Sequence, residues 1–312
     1  MDDVKNIDLL FENQLRDWEL ASVNYHDLNK VKIRTFTFEN VEITLQFNPK
    51  RMVSSAAKVD ARSIEARPCF LCSHNRPLEQ QGVIFRDDYI ILVNPFPIFS
   101  KHLTVPSLVH KDQRILENFA DMLRLSRALP GYVVFYNGPL CGASAPDHFH
   151  FQAGLKGLMP LEHDFSNPER CVFLEKRDEI KLYWWHRYLR NLLTFQGEDL
   201  SALAGFFHKL YAQLQVLNTG KGEPMMNILA WFENDEWVVH VFPREIHRPV
   251  QYFEEGSRKI VISPASVDLG GAFIVPRQED FEKIRSVDIA DILRQVCFDD
   301  IMFTDLMKGI LN

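Results

Sequence analysis

Residues 136–152 of this 312-residue chain read Tyr-Asn-Gly-Pro-Leu-Cys-Gly-Ala-Ser-Ala-Pro-Asp-His-Phe-His-Phe-Gln. No other stretch restricts the fold so tightly. The alternation over His148–Gln152 predicts a strand, whose successive side chains point to opposite faces. His148, His150 and Gln152 then form one polar row, while Phe149 and Phe151 anchor the strand in a core. Neighbours along that row lie about 6.5–7 Å apart, from a rise of about 3.3 Å per residue. The Gly142-Ala143-Ser144 turn before it can bring backbone N–H groups and a hydroxyl close, an arrangement that suits a phosphate.

The rest of the chain supplies both periodicities. Spaced apolar residues predict helix over 7–30, and two-fold alternation from Thr35 to Phe47 predicts a hairpin turning at Glu39-Asn40. Strands follow within Gly82–Pro106, then a helix over 112–127 and a strand at Tyr132–Tyr136. The region 160–222 reads as mostly helical, with Trp184–Tyr188 in a helix that packs on the core or on a second copy, and with a stop near Gly220. Met225–Pro243 repeats the order strand, acidic turn, strand, Phe-Pro first met at Gly82–Pro97, which hints at two related lobes. Strands at Ile260–Ile262 and Ala272–Val275 and a helical tail from Asp280 complete an α+β reading.

Composition excludes several classes. A chain 46% hydrophobic and 25% charged is globular rather than fibrous or disordered. Thirty-five Lys+Arg against 42 Asp+Glu leave a net charge of −7, a poor basis for gripping a nucleic-acid backbone. No apolar run nears the ~18–20 residues that cross a bilayer. Met1–Lys5 lacks the layout of a signal peptide, and five cysteines contain a single close pair. The expectation is a cytoplasmic chain with reduced thiols.

That pair, Cys69-Phe70-Leu71-Cys72, is half of a zinc site, because a closed site takes four N or S ligands. The remaining ligands must be histidines. His148 is the natural third and His110 the choice for fourth, with His102 and His74 as competitors. His240 and His247 read as structural or surface histidines. Arg244 and Lys58 read as solvated charges that could also meet phosphate, and Cys171 and Cys297 as buried thiols.

Cys69–Cys72 with Asn75 resembles the cysteine-pair segment of galactose-1-phosphate uridylyltransferases. Asn137–Gln152 resembles their active-site strand, in the branch of the histidine-triad superfamily that ends in Gln. Asn227-Ile228-Leu229 through Val241-Phe242-Pro243-Arg244, and Ser263-Pro264-Ala265-Ser266-Val267-Asp268-Leu269-Gly270-Gly271-Ala272-Phe273, resemble diadenosine tetraphosphate phosphorylases and, more closely, GDP-hexose phosphorylases of the GDP-L-galactose type.

The resemblance implies a histidine-triad-like α+β fold of two lobes, 1–165 and 166–312, each an antiparallel sheet flanked by helices. It implies that His150 takes a nucleoside monophosphate onto its ring. Gln152 and Ser144 would serve the transferred phosphoryl group, with Asn75, Asn137 and Gly142 near phosphate or substrate. A structural zinc would sit on Cys69, Cys72, His110 and His148. The implied partners are a nucleoside diphosphate sugar or dinucleotide and phosphate or a sugar 1-phosphate, without nucleic acid or membrane, and with room for a homodimer. A nucleotide hydrolase and a silent nucleotide-binding protein are the rivals from other classes. Two departures stand out. Asp147 precedes His148 where the uridylyltransferases have Pro, and His240 alone remains of their second, histidine-rich metal site, so no second metal is expected.

Overall fold

The computed structural model describes residues 2–39, 41–52, 60–218 and 222–311. Asn40, Lys58 and Gly220 lie outside the described residues. The alternating segments form β1 (Lys32–Phe38), β2 (Val41–Phe47), β3 (Gly82–Phe85), β4 (Tyr89–Val93), β5 (His102–Pro106), β6 (Tyr132–Asn137) and β7 (His150–Leu155). β8 (Cys171–Arg177), β9 (Ile180–Trp185), β10 (Leu193–Gly197), β11 (Met226–Glu233), β12 (Glu236–Pro243) and β13 (Ala272–Val275) follow. Ten of them make one antiparallel sheet in the order β3-β4-β5-β7-β6-β11-β12-β10-β9-β8. Each half of the chain supplies five neighbouring strands, and the halves join where β6 pairs with β11. A smaller sheet, β1-β2-β13, packs over one face.

Alternation along the strands sorts side chains between two apolar layers. Val134, Tyr136, Phe149 and Phe151 enter the layer covered by the helices Asp2–Asp17 (α1), Glu19–Leu28 (α2), Phe119–Ala128 (α3), Leu200–Leu217 (α4) and Asp300–Leu311. Val133, Phe135, Leu229 and Trp231 enter the opposite layer, beneath the small sheet and the helix Ser286–Val296. Phe149 meets Phe151 edge-on at 4.9 Å and Tyr136 at 6.1 Å, so the expected anchoring of the polar row is real.

Three expectations are corrected. Residues 171–197 hold three strands, not helix, and Trp184 lies on β9. Their run Val172-Phe173-Leu174 is exposed at the sheet edge and broken by a bulge, which erased the two-fold signal. The missed clue was a third acidic turn: Asp178-Glu179 adopts positive φ at both positions, as Asn234-Asp235 does, the geometry of a tight hairpin. Ile260–Ile262 is not a strand, since its backbone bonds to Gln251 and to the Asp280 carboxylate. Arg244 is not a solvated charge but wholly buried.

His102 and His240 are both fully buried, and burial pushes each ring down to about 3, helped by Arg51 and Lys156 respectively. His240 lies among Trp231, Phe165 and Trp185, its Nδ1 2.6 Å from the Thr194 hydroxyl. An unfolded histidine binds its proton near pH 6.5, whereas these rings stay neutral, so stability falls as pH drops from 6.5 toward 3. Between pH 7 and 5, each should remove about 2 kcal/mol. Urea unfolding at both pH values should show His240→Asn losing about that much less than wild type; equal losses would exclude the histidine as the cause.

Candidate active site

The strand begins two residues later than its sequence suggests. β7 starts at His150, and His148 sits in the preceding turn. The reason is Gln113, buried between the strand ends. Its Nε2 donates to the carbonyls of Asn137 (3.1 Å) and His150 (3.0 Å), and its Oε1 accepts the His150 N–H (2.8 Å). A side chain thereby replaces the next ladder bonds and frees His148 to turn toward the cysteines.

His150 is 3% exposed. Burial lowers its pKa to about 4, so the ring is neutral at pH 7. Its Nδ1 lies 2.8 Å from the His148 carbonyl. A carbonyl only accepts, so Nδ1 carries the proton and Nε2 keeps its lone pair. No described residue takes up Nε2.

Gln152 faces the same way, and its Oε1 is 3.0 Å from His102 Nε2. His102 Nδ1 accepts from the Ile98 N–H, so its Nε2 bears the proton and donates to Gln152. The carboxamide is thus fixed with oxygen toward His102, and its N–H2 is left for a ligand. Phe99 and Phe135 floor this row, and Phe99 packs so closely that a Cβ at Gly154 would sit 2.3 Å from its ring.

The turn between β6 and β7 carries two unused donors, since neither the Gly142 nor the Ser144 N–H has a partner among the described residues. Gly142 has φ +98°, and a Cβ there would meet Ala265 Cβ at 2.6 Å, so only glycine fits. Asn137 ends β6, and its Oδ1 accepts from Asn227 Nδ2 (2.9 Å) and the Ser266 N–H (2.9 Å). Asn75 stays on the cysteine loop, where its amide donates to the Cys69 carbonyl (2.9 Å); no hydrogen bond ties it to the His150 row.

Cys69, Cys72, His110 and His148 converge, with their ligand atoms all within 4.8 Å of one another. Cys69 Sγ and Cys72 Sγ lie 3.2 and 3.5 Å from His148 Nδ1, and Cys72 Sγ lies 3.2 Å from His110 Nδ1. A tetrahedral zinc with ordinary bond lengths would set such edges at about 3.5 Å. His148 Nε2 lies 2.8 Å from the Ser107 carbonyl, which places the proton there and bares Nδ1 toward the sulfurs. Burial raises the Cys69 thiol, but the neighbouring His148 ring and hydrogen bonds from the Leu71 and Cys72 amides outweigh it and bring the pKa to about 6. The donor set fits zinc. Of the competing histidines, His102 is engaged by Gln152 and His74 is outside the cluster. Asp147 pairs with Arg67 at 2.8 Å and stands 3.9 Å from His110 Nε2, a carboxylate behind a ligand where proline could offer none.

Gln113, Asn227, Ser266 and Arg51 received no role from sequence. Arg51 is close enough to perturb both the His102 ring and the Asp268 carboxyl, lowering His102 and opposing the burial that raises Asp268 to about 6. Nothing in their spacing marks them, because each reaches the site from a distant segment.

Residues 10–155 match a family model described as a domain of unknown function, DUF4922, and residues 164–312 match the GDPGP1-like, C-terminal domain. No curated protein matches the chain in sequence. Yeast Ap4A phosphorylase Apa2 superposes with a TM-score of 0.58 at 16% identity, over 90% of this chain and 94% of its own. Apa2 in complex with AMP gives 0.58 and 16% over 92% and 97%. A uridylyltransferase mutant aligns at a TM-score of 0.41 and 10% identity over 89% and 97%, a likeness too loose to argue from. The chain thus shares the fold of Apa2.

Proposed function

We propose that the chain is a nucleotidyltransferase that phosphorolyses a nucleoside diphosphate sugar of the GDP-hexose kind through a nucleotidyl intermediate on His150. The carrying observation is the neutral His150 ring, its proton tied to the His148 carbonyl and its Nε2 unengaged. Nε2 attacks the α-phosphorus; an N–P bond forms as the bond to the bridging oxygen breaks, and sugar 1-phosphate leaves with the electron pair. An oxygen of inorganic phosphate then attacks the same phosphorus, the N–P bond breaks, and a nucleoside diphosphate leaves with His150 restored.

Charge on the phosphoryl oxygens is met by donors: the Gln152 N–H2, the Ser144 hydroxyl, and the Gly142 and Ser144 N–H groups. Gln152 has no proton to give, which suits phosphate leaving groups that need none. Asn137 adds its N–H2 to this lining. Zinc on Cys69, Cys72, His110 and His148 would supply rigidity rather than Lewis acidity, holding the turn whose carbonyl orients His150.

A second reading is favoured by the fold of Apa2, whose structures are of a phosphorylase with Ap4A and with AMP. Turnover of a GDP-hexose against Ap4A, each with and without inorganic phosphate, separates the two. Turnover of either in water alone would instead make the chain a hydrolase. Absence of reaction with any nucleotide that binds would leave a binding protein. No helix among the described residues is long and apolar enough to cross a membrane; cytoplasmic residence and a homodimer remain part of this proposal.

Gln152→Glu should keep the His102 contact, because a carboxylate accepts the same N–H. It removes the outward donor, and single-turnover labelling of His150 should slow by about 10²–10³-fold. An unchanged labelling rate in a folded variant would remove Gln152 from the mechanism.

A further inference from the structure

We infer that Arg244 and Asn227 are positioning residues for this reaction: together they hold the Asn137 carboxamide with its N–H2 turned to the phosphate that His150 attacks. The inference rests on the function proposed above and adds to it a reach from the C-terminal half into the site.

Arg244 follows β12 and is wholly buried, and all five of its N–H groups are used. Nε donates to the Val296 carbonyl (2.8 Å), and Nη2 to the carbonyls of Ile246 and His247 (both 3.1 Å). Nη1 donates to the Pro264 carbonyl (2.9 Å) and to Asn227 Oδ1 (2.5 Å). No carboxylate pairs with it among the described residues. A guanidinium has no acceptor, so Asn227 is compelled to present its oxygen to Arg244. Its Nδ2 then falls on the other side, donating to Asn137 Oδ1 (2.9 Å) and to the Cys141 carbonyl (2.8 Å).

Asn137 is compelled in turn. Its Oδ1 accepts from Asn227 and from the Ser266 N–H, and the Ser266 hydroxyl lies 2.7 Å away, shared with the Tyr136 carbonyl. A flipped Asn137 would set its N–H2 against these donors and aim an oxygen at an anion. In the orientation held, Nδ2 has no partner among the described residues. Register places it: Asn137 pairs with Asn227 across β6 and β11, and Phe135 pairs with Gln152 across β6 and β7. Two residues on, Asn137 stands opposite His150 on the same face, the two strand ends bridged by Gln113. One donor-only side chain thus sets two amides in series, and the last faces the reacting phosphorus, as His102 does for Gln152.

The test inverts one amide without changing its shape. Asn227→Asp still accepts from Arg244 but offers Asn137 an oxygen, so Asn137 must turn its N–H2 inward. Labelling of His150 by a GDP-hexose carrying ³²P at the α-phosphorus should slow by about 10²-fold. Whichever of GMP, AMP and UMP binds wild type should bind about tenfold more weakly. The decisive readout is a cycle with Asn137→Ala. If Asn227 acts through Asn137, the double variant labels and binds as Asn137→Ala does alone. A wild-type rate in Asn227→Asp, or its full penalty persisting in the Asn137→Ala background, overturns the inference. Should Asn227→Asp not fold, Ser266→Ala enters the same cycle, with labelling expected to slow about tenfold and the penalty to vanish without Asn137. If wild type binds a nucleotide but takes no label, the transfer reading fails, and the four affinities still decide the positioning. If it neither binds nor labels, both fail.

Discussion

His150→Ala should take no label from an α-³²P-labelled nucleotide and should lower phosphorolysis by at least about 10⁴-fold, the scale of removing a covalent nucleophile. Wild type should give an adduct that acid cleaves and base spares, as expected of a phosphorus–nitrogen bond to imidazole. The fold should survive, because among the described residues the ring's one hydrogen bond is to the His148 carbonyl, while Gln113 holds the His150 backbone from both sides. Circular dichroism and melting of the variant establish this before any rate is compared. Label persisting in His150→Ala would move the chemistry to another residue and dissolve the proposed mechanism.

The second large effect is on stability. Wild type should carry about one zinc per chain, and Cys69→Ser should carry none. Structural zinc sites in small domains bind with about 10–16 kcal/mol, and that energy is available to the folded state alone. Cys69→Ser, or wild type stripped with a chelator, should therefore melt far below the loaded protein. Activity should fall with it, because the His148 that would bind the metal is also the residue whose carbonyl orients His150. Unchanged zinc content in Cys69→Ser would refute the four-ligand set. Unchanged melting after complete removal would deny the metal its structural part.

The sequence made some of this legible for a clear physical reason. His148–Gln152 alternates over a core-facing phenylalanine pair, and a two-residue period fixes which side chains share a face. Cys69 and Cys72 announce a ligand pair by spacing, and the choice of His110 over His102 agrees with the cluster the fold assembles. The hairpin β8–β9 stayed hidden because exposed apolar residues at a sheet edge carry no alternation, although its acidic turn was visible. Gln113, Asn227 and Arg244 were illegible as a site. A buried amide looks like any other polar residue until the fold shows which groups it is obliged to satisfy. Arg244 was misread for the same reason: its charge suggested water, whereas carbonyls from four separate residues surround it along with Asn227.

The seam between β6 and β11 runs one strand from His150. The two matched sequence regions meet in the chain between residues 155 and 164, yet in space they meet at that seam, one strand from His150. On the mechanism proposed above, exchanging the second half for another would set a mismatched amide beside His150, so the two halves are expected to vary in concert.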